Sequence, residues 1–167
     1  LQPRACYAEG KRGAECIVSS YSHLYSLQAT ILRFGHIYGP GMALDDERVQ
    51  ADFAAKVFRG EDIVLNSDGS AVRTYTYVAD SVSGLFYALL LGNEIAYNVA
   101  DPNGLISIKD LAQMFADARL EKNLKVVFAD PSLSDQSIYN SAASLGLDSS
   151  KLRTLGWFPQ TALADGL

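Results

Sequence analysis

Cysteine is scarce in this chain, and an apolar run long enough to cross a membrane is missing. The two cysteines, Cys6 and Cys16, would lie roughly 15 Å apart along a helix, which is too far for a disulfide. With neither a disulfide framework nor a metal-type Cys/His spacing, we predict a cytoplasmic protein without a metal site, in which both thiols are small core residues. The longest apolar stretch, GLFYALLLG, is much shorter than the roughly 20 residues of a membrane span, so we expect no membrane partner.

An excess of positive charge is also missing. The 167 residues include 14 Lys and Arg against 19 Asp and Glu, which gives a formal net charge of -5. Nucleic-acid binders usually present a basic field to the phosphates, so this balance argues against a nucleic-acid partner. A few local arginines remain available for small anionic ligands. The hydrophobic content of 49% indicates a soluble globular protein rather than a disordered chain.

Helical and strand patterns alternate along the chain, which indicates an α/β fold. Residues 7–25 carry apolar side chains at helical spacing, and Gly10 and Gly13 within them suggest that something packs close. Residues 29–41, ATILRFGHIYGPG, predict one strand buried on both faces, which is typical of a parallel sheet. Residues 45–60 predict a second helix with acidic residues in its first turn.

Shorter elements follow. The segment NSDG between DIVL and AVRTYTYV predicts a β-hairpin. We expect Asp80 to cap a helix over residues 81–92 that is apolar nearly all round and therefore buried. Ser107 and Asp110 predict a capped helix start. The remaining predictions are strands over 96–101 and 125–130, a loop over 131–144, a short helix over 149–156, and Trp157 in the core.

One pair in the first predicted helix carries a chemical signal: Tyr7 lies four positions before Lys11. Side chains at this spacing project from one helix face, about 6 Å apart along the axis, so the ammonium can lie near the phenol oxygen. A nearby cation favours phenolate, which can exchange a proton with a sugar hydroxyl or carbonyl while hydride moves to or from a nicotinamide. The alternative is a solvated helix face that shows this spacing by chance.

The segment around that pair is the first of several that match one family. YAEGKRGAE resembles the catalytic helix of the extended short-chain dehydrogenases/reductases, and ILRFGHIYGPG and DGSAVRTYTYVAD resemble two later segments of them. YNVAD and LDSSKLRTLGWFP resemble a later strand of that family and its Leu-Gly-Trp-x-Pro ending. The family contains NAD-dependent nucleotide-sugar epimerases, dehydratases and decarboxylases. CYAEGKR in particular is similar to its UDP-glucuronate decarboxylase branch.

The resemblance implies a fold and a division into domains. The expected class is α/β, namely the C-terminal part of an extended Rossmann-type enzyme, with a doubly wound parallel sheet, plus its small α/β substrate-binding domain. Residues 1–42 would hold the last helix and strand of the dinucleotide-binding domain. Residues 43–167 would form the nucleotide-sugar-binding domain.

The resemblance also implies catalytic and cofactor-binding residues. Tyr7 becomes the proton-transfer residue, and Lys11 becomes both its electrostatic modulator and a ligand of the nicotinamide ribose. Tyr7 and Lys11, together with Tyr38, Gly39 and Pro40 beside the nicotinamide, are the expected cofactor-binding residues. The implied cofactor is NAD, with NADP left open.

Two residues are implied to bind the substrate. Arg73 would hold the diphosphate of a nucleotide-diphosphate sugar, because its planar fork matches phosphate oxygens; the alternative is a strand residue paired with an acid or stacked on Tyr75. His36 stands where the family carries an asparagine near the substrate, and the alternative there is a buried, satisfied histidine. The family's second phosphate-binding arginine is absent from residues 129–146, which leaves the nucleotide open.

A glycine-rich turn from strand to helix, with which relatives bind the dinucleotide, is missing from this sequence. The resemblance therefore implies a C-terminal fragment of an NAD-dependent nucleotide-sugar epimerase/dehydratase that is inactive alone. Its uncovered apolar surface predicts self-association into a homo-oligomer, expected to be a dimer. The alternative is a non-catalytic nucleotide-sugar-binding or assembly module with the same fold.

Overall fold

Helices and strands alternate along the chain, which confirms the α/β class. The computed structural model describes residues 5–129 and 146–167. The helices are α1 (Ala5–Tyr25), α2 (Val49–Arg59), α3 (Val78–Leu91), α4 (Ile108–Asp117) and α5 (Ser150–Arg153), with a 3-10 helix at Leu120–Lys122. The strands are β1 (Ile31–Phe34), β2 (His36–Tyr38), β3 (Ile63–Leu65), β4 (Val72–Tyr77), β5 (Ala96–Val99), β6 (Leu105–Ser107) and β7 (Val126–Phe128).

The single strand predicted over residues 29–41 is in fact two strands. β1 pairs in parallel with β5, whereas β2 pairs in parallel with β4. β1 and β2 separate at Gly35. The backbone there passes so close to β4 that a Cβ on Gly35 would lie 3.0 Å from the Thr74 carbonyl oxygen. A continuous apolar run carries no sign of a change of partner, so the periodicity missed this break.

The hairpin predicted between β3 and β4 is wrong. β3 pairs in parallel with β7, and β4 lies between β2, which is parallel to it, and β6, which is antiparallel. The connecting segment turns over the start of α4, where the Lys109 amide donates to the Gly69 carbonyl at 3.0 Å. Gly69 has a φ of +70°, and a Cβ on it would lie 2.8 Å from the Lys109 Cβ. Turn residues predicted a chain reversal, but pairing with strands distant in sequence decided the partners.

Helix starts follow local signals at α4 but not at α2. Ser107 caps α4 as predicted, with its Oγ accepting a hydrogen bond from the Asp110 amide at 3.0 Å. α2 begins at Val49 rather than at residue 45, and Asp52 is the acid in its first turn. The other acids of the predicted start therefore precede the helix. The loop predicted over 131–144 lies outside the described residues.

Two clusters of buried apolar side chains hold the elements together. The larger cluster lies among α2, α4, β3 and β4 and includes Phe53, Ile63, Tyr75, Leu111 and Phe115. The smaller one surrounds Trp157, which is 1% exposed, and contains Ala88, Tyr97, Val99 and Leu152. The predicted core position of Trp157 is confirmed.

Asp80 does not cap α3, contrary to the prediction. The helix begins at Val78, so Asp80 lies inside its first turn, where it is 4% exposed. Its carboxylate accepts hydrogen bonds from the backbone amides of Gln160 at 2.9 Å and Thr161 at 3.0 Å. The Trp157 indole donates to the Asp80 backbone carbonyl at 3.2 Å. Asp80 therefore ties the C-terminal segment to α3, a long-range contact that no local pattern indicates.

The outer faces of α1 and α3 are apolar and exposed. No residue of α1 is buried, and Leu24 is 71% exposed. On α3, Leu90 is 74% exposed, so the prediction of a helix buried nearly all round is wrong. Cys6 and Cys16 are exposed rather than in the core. At both glycines inside α1 a Cβ would have no atom within 4 Å, so the close packing expected there is absent from the described residues.

The boundary at residues 42 and 43 stays a prediction. β1 lies before it and pairs with β5, which lies beyond it, and β2 likewise pairs with β4 across it. Within the two described ranges, no helix is both long and apolar enough to cross a membrane.

Candidate functional site

Tyr7 and Lys11 lie on one face of α1, as their spacing predicts. The Lys11 ammonium nitrogen is 5.6 Å from the centroid of the Tyr7 ring. Both side chains line a cavity of about 790 Å³, here called the Tyr7 cavity, whose other walls come from β1, from residues 35–37 and from Arg48. Tyr7 is 73% exposed, so its phenol is open to a ligand.

An ion pair orients α1 over the sheet. Arg33 on β1 donates from Nε and Nη2 to the two carboxylate oxygens of Glu15 at 2.7 and 2.6 Å. The hydrogen bond from Arg33 is the main cause that lowers the pKa of Glu15 below its usual value. A bidentate pair fixes orientation as well as distance. No residue of α1 is buried, and this ion pair joins α1 to β1.

Arg73 lines a second cavity of about 390 Å³, here called the Arg73 cavity. Its walls come from the first turns of α2, from the end of β3 and from β4, and they include Gln50, Asn66 and Ser67. Arg73 is half-buried, and its Nη1 donates to the Val72 carbonyl at 2.8 Å. This bond occupies one donor of the guanidinium fork. Among the described residues Arg73 forms no ion pair, which disfavours the alternative of a partner acid.

The two cavities adjoin at His36 and Arg48, which line both of them. The His36 ring lies 5.3 Å from the Tyr75 ring, centroid to centroid. The pKa of His36 is lowered, first by partial loss of water around the ring and then by the positive charge of Arg73. A hydrogen bond between the ring and the Thr74 backbone opposes this lowering and occupies one ring nitrogen. With its pKa lowered, the imidazole is mainly neutral at neutral pH. His36 is exposed, so it is not the buried histidine of the alternative, although its ring does have a hydrogen-bond partner in the Thr74 backbone.

Arg48 is a site residue that sequence reasoning missed. It directly precedes α2, and Asp46 accepts hydrogen bonds from its backbone amide and its guanidinium. The available sequence signal is an acid two positions before an arginine, which is too common to mark a site. Its place between the cavities depends on the chain path from β2 to α2, which the tertiary structure alone defines.

Tyr38, Gly39 and Pro40 do not line either cavity. Tyr38 is 4% exposed, its hydroxyl donates to the Leu163 carbonyl at 3.3 Å, and burial raises its pKa to about 12. Gly39 has a φ of +130°, and a Cβ on it would lie 2.8 Å from Val78 Cγ1. The structure thus gives Tyr38 and Gly39 packing roles, and contact of these three residues with a cofactor stays a prediction.

The Tyr7 cavity fits one end of a dinucleotide. Its floor is apolar at Ile31, Leu32 and Phe34, which suits a nicotinamide ring, and Lys11 offers donors for ribose hydroxyls. A pyrophosphate requires amides such as those of a glycine-rich turn before a helix, and this sequence has no such turn. The residues present therefore fit the nicotinamide end alone. No group of three or more His, Cys, Asp or Glu side chains that could hold a metal occurs in residues 5–129 or 146–167.

Comparison with known proteins identifies the family. The sequence model of the NAD dependent epimerase/dehydratase family matches residues 1–100. The chain belongs to this family. The matched region contains Tyr7, Lys11, His36, Arg48 and Arg73, so the family sequence builds most of both cavities.

Curated relatives point to one branch of the family. UDP-glucuronic acid decarboxylase 3 of Arabidopsis thaliana is 32% identical over 169 residues, which covers 98% of this chain and 46% of that protein. UDP-glucuronic acid decarboxylase 1 of Xenopus tropicalis is 32% identical over 168 residues, which covers 100% of this chain and 38% of that protein. The chain thus spans less than half the length of these relatives. The similarities confirm the family and support the decarboxylase-like branch predicted from the motifs.

Solved structures confirm the Rossmann-type fold class. The UDP-glucose 4-epimerase of Thermotoga maritima, determined with UDP-glucose, superposes with a TM-score of 0.82 at 26% identity over 96% of this chain and 50% of that one. The UDP-glucose 4-epimerase of Thermus thermophilus, determined with NAD, superposes with a TM-score of 0.79 at 29% identity over 99% of this chain and 52% of that one. Both likenesses extend over nearly all of this chain.

Proposed function

We propose that this chain supplies the nucleotide-sugar-binding part and the proton-transfer pair of an NAD-dependent nucleotide-sugar epimerase, dehydratase or decarboxylase. One observation carries this proposal: the two cavities meet at His36 and Arg48, which line both of them. One cavity contains the phenol and ammonium of Tyr7 and Lys11, and the other contains Arg73. A ligand that spans both has its anionic part near Arg73 and a sugar hydroxyl near Tyr7.

The charges of the Arg73 cavity support a diphosphate ligand. Arg73 and Arg48 bring two guanidinium groups to it, and a guanidinium binds phosphate oxygens through parallel N–H bonds. The carboxylates of Glu47 and Asp52 line the same cavity, and that of Asp52 is paired with Lys56. The net charge of -5 repels an anion at long range, so the attraction has to come from these local cations. Since the curated relatives are UDP-glucuronic acid decarboxylases, a UDP-linked uronic acid is the first ligand to test.

Tyr7 is proposed to take the proton from a sugar hydroxyl while the carbon that bears it is oxidised. We infer that Lys11, whose ammonium lies 5.6 Å from the centroid of the Tyr7 ring, is the electrostatic partner of Tyr7 and donates to the nicotinamide ribose. When bound, NAD supplies the hydride acceptor. The neutral imidazole of His36 hydrogen-bonds the sugar at the junction of the cavities without adding charge.

We propose that the complete enzyme is longer than this sequence. The chain spans 46% of the Arabidopsis relative, and it has no pyrophosphate-binding turn of its own. The remaining part of the enzyme would hold that turn and close the Tyr7 cavity. Alone, the chain is then expected to bind the sugar nucleotide but not to turn it over.

Titration calorimetry of this chain with UDP-glucuronic acid tests the substrate half of the proposal. We expect Arg73→Ala to weaken binding by about tenfold or more, because a hydrogen bond to a charged group contributes about 1.5–3 kcal/mol. Arg119→Ala is the matched control, since Arg119 is exposed, lies outside both cavities and pairs with Glu121 at 3.5 Å. Equal affinities of the two variants would contradict the assignment of Arg73.

Replacing Tyr7 by phenylalanine in the complete enzyme tests proton transfer. The change removes the phenol oxygen and keeps the ring, so we expect nicotinamide reduction by the sugar nucleotide to slow by about 100-fold or more, with binding retained. Tyr21→Phe is the control, because Tyr21 is another exposed tyrosine of α1 that lines neither cavity. Reduction at the original rate in Tyr7→Phe would refute the role of this residue.

A second candidate is a non-catalytic nucleotide-sugar-binding or assembly module. It is favoured by His36 in place of the family's asparagine and by the absence of the family's second phosphate-binding arginine from residues 129–146. Under this alternative, UDP-glucuronic acid binds at Arg73, but neither NAD nor the Tyr7→Phe change alters any measured property of the complete protein.

A further inference from the structure

Asp46 and Arg48 form a short ion pair at the boundary of the two cavities. The Arg48 Nε lies 2.9 Å from Oδ1 and 3.0 Å from Oδ2 of Asp46, and its Nη2 lies 2.6 Å from Oδ2. The same Oδ1 accepts a hydrogen bond from the Arg48 backbone amide at 2.9 Å. One carboxylate thus holds both the main chain and the guanidinium of Arg48.

The pair lies where a single cation reaches both cavities. Arg48 lines the Tyr7 cavity and the Arg73 cavity, and the two residues that follow it, Val49 and Gln50, continue the wall of the second. The Arg48 side chain is 56% exposed and that of Asp46 is 25% exposed. Ion pairs this exposed add little to stability. We therefore expect the ion pair to affect the orientation of the Arg48 side chain more than the stability of the fold.

The pair persists across ordinary conditions of pH. Hydrogen bonds from the Arg48 side chain and backbone lower the pKa of the Asp46 carboxyl to about 2, so it stays ionised. The same contact raises the pKa of Arg48, which is charged in any case. Neither partner titrates near neutrality, so both groups stay charged and the ion pair is not lost through titration.

We propose that Asp46 is a positioning residue, which holds the Arg48 guanidinium at the junction of the cavities so that its remaining N–H groups meet an anionic group of the ligand. This inference rests on the proposed function and adds to it the residue that sets the geometry of the second cation. A planar guanidinium held along one edge presents its other donors in a fixed direction. Less side-chain freedom is then lost when the ligand binds.

The direction of the change in affinity on removing the Asp46 charge distinguishes positioning from simple charge repulsion. A carboxylate beside an anion-binding cavity repels the anion, so removing its charge strengthens binding if Coulomb repulsion dominates. Removing it weakens binding if the carboxylate positions Arg48.

The test is titration calorimetry of UDP and UDP-glucuronic acid with this chain and with its Asp46→Asn variant. Asparagine keeps the size of the side chain and an oxygen for the Arg48 backbone amide, but it loses the ionic fork. We expect the Kd of both ligands to rise about fivefold. Asp45→Asn is the matched control: it removes the same charge one position earlier, from an exposed residue that has no ion pair in the described part of the chain, and we expect its Kd to be unchanged or slightly lower.

Variants of Arg48 separate positioning from a general effect. We expect Arg48→Ala to weaken binding at least as much as Asp46→Asn, and addition of Asp46→Asn to Arg48→Ala to change the Kd by less than about twofold, because Asp46 acts through Arg48. Circular dichroism checks that each variant is folded.

Three results would overturn the inference. The first is binding by Asp46→Asn that is as tight as, or tighter than, that of the unmodified chain. The second is a further loss of affinity when Asp46→Asn is added to Arg48→Ala, as large as the loss that Asp46→Asn causes in the unmodified chain. The third is failure of the unmodified chain to bind either ligand, which overturns the proposed function as well. The first two leave the proposed function standing, so the two failures are distinguishable.

Discussion

At the scale of single residues, the pKa of His36 depends on the positive charge of Arg73, which lines the same cavity. Partial loss of water and the positive charge of Arg73 both lower the pKa of its imidazole. At neutral pH it is therefore mainly uncharged, as the asparagine expected at this position is. The substitution that distinguishes this chain from the family pattern is chemically milder than the sequence suggests, since the surroundings keep the histidine neutral.

The charge of Arg73 gives a measurable prediction at His36. We expect NMR titration to place the pKa of His36 below 6.5, and Arg73→Gln to move it upward because the second cause of the lowering is removed. Arg119→Gln is the control and is expected to leave the titration of His36 unchanged. The prediction fails if the titration midpoint does not move in Arg73→Gln.

The sign of the linked effect on stability follows from the same pKa. The folded chain binds the His36 proton less tightly than the unfolded chain, whose ordinary value is 6.5. The contribution of this group to folding is therefore fully present above pH 6.5 and is lost as the pH falls from there through the lower folded pKa. Arg73→Gln is expected to narrow the pH range over which this contribution is lost, because it brings the folded pKa of His36 closer to the unfolded value.

At the scale of elements, α1 and α3 contain glycines in opposite surroundings. A Cβ on Gly84 of α3 would lie 2.6 Å from Val99 Cγ1 and 3.2 Å from the Trp157 indole. A Cβ on Gly10 of α1 would meet no atom within 4 Å. α3 thus packs tightly on the smaller core cluster at Gly84. α1 instead contacts β1 through the ion pair between Glu15 and Arg33.

The same substitution at these two glycines should have opposite effects. We expect Gly84→Ala to lower the free energy of unfolding by about 1–3 kcal/mol through overpacking. We expect Gly10→Ala to stabilise α1 by up to about 1 kcal/mol, because alanine is the better helix former in an open position. Urea unfolding followed by circular dichroism measures both. Destabilisation of similar size at the two positions would show that α1 is packed as closely as α3.

At the scale of the whole molecule, apolar side chains cover the outer faces of two helices. Those exposed on α1 include Ile17, Tyr21, Leu24 and Tyr25, and those exposed on α3 include Val82, Phe86, Leu89, Leu90 and Leu91. Contiguous exposed apolar surface marks an interaction site. In the complete enzyme we propose that the remaining polypeptide covers part of it.

We therefore predict that the isolated chain self-associates. Size-exclusion chromatography with light scattering should give a mass above that of one chain, and Leu24→Lys or Leu90→Lys should reduce it by placing a charge on the apolar faces. Phe58→Lys is the control, because Phe58 is 69% exposed but belongs to α2. A clean monomer of the unmodified chain at high concentration would contradict this prediction.

Local features and the family were predictable from the order of the residues. The i, i+4 spacing placed Tyr7 and Lys11 on one helix face, Ser107 marked the start of α4, and the ordered motifs identified the family. These features depend on residues close together in the chain, and backbone geometry at that range follows directly from residue type.

The tertiary structure alone decided the strand partners and the junction of the cavities. β3 joined β7 rather than β4, Asp80 bound the C-terminal segment, and Arg48 came to lie between the Tyr7 and Arg73 cavities. Each outcome depends on groups far apart in sequence, whose pairing is set by the competition among all strands and buried polar groups in one packed chain. Local residue patterns do not contain that information.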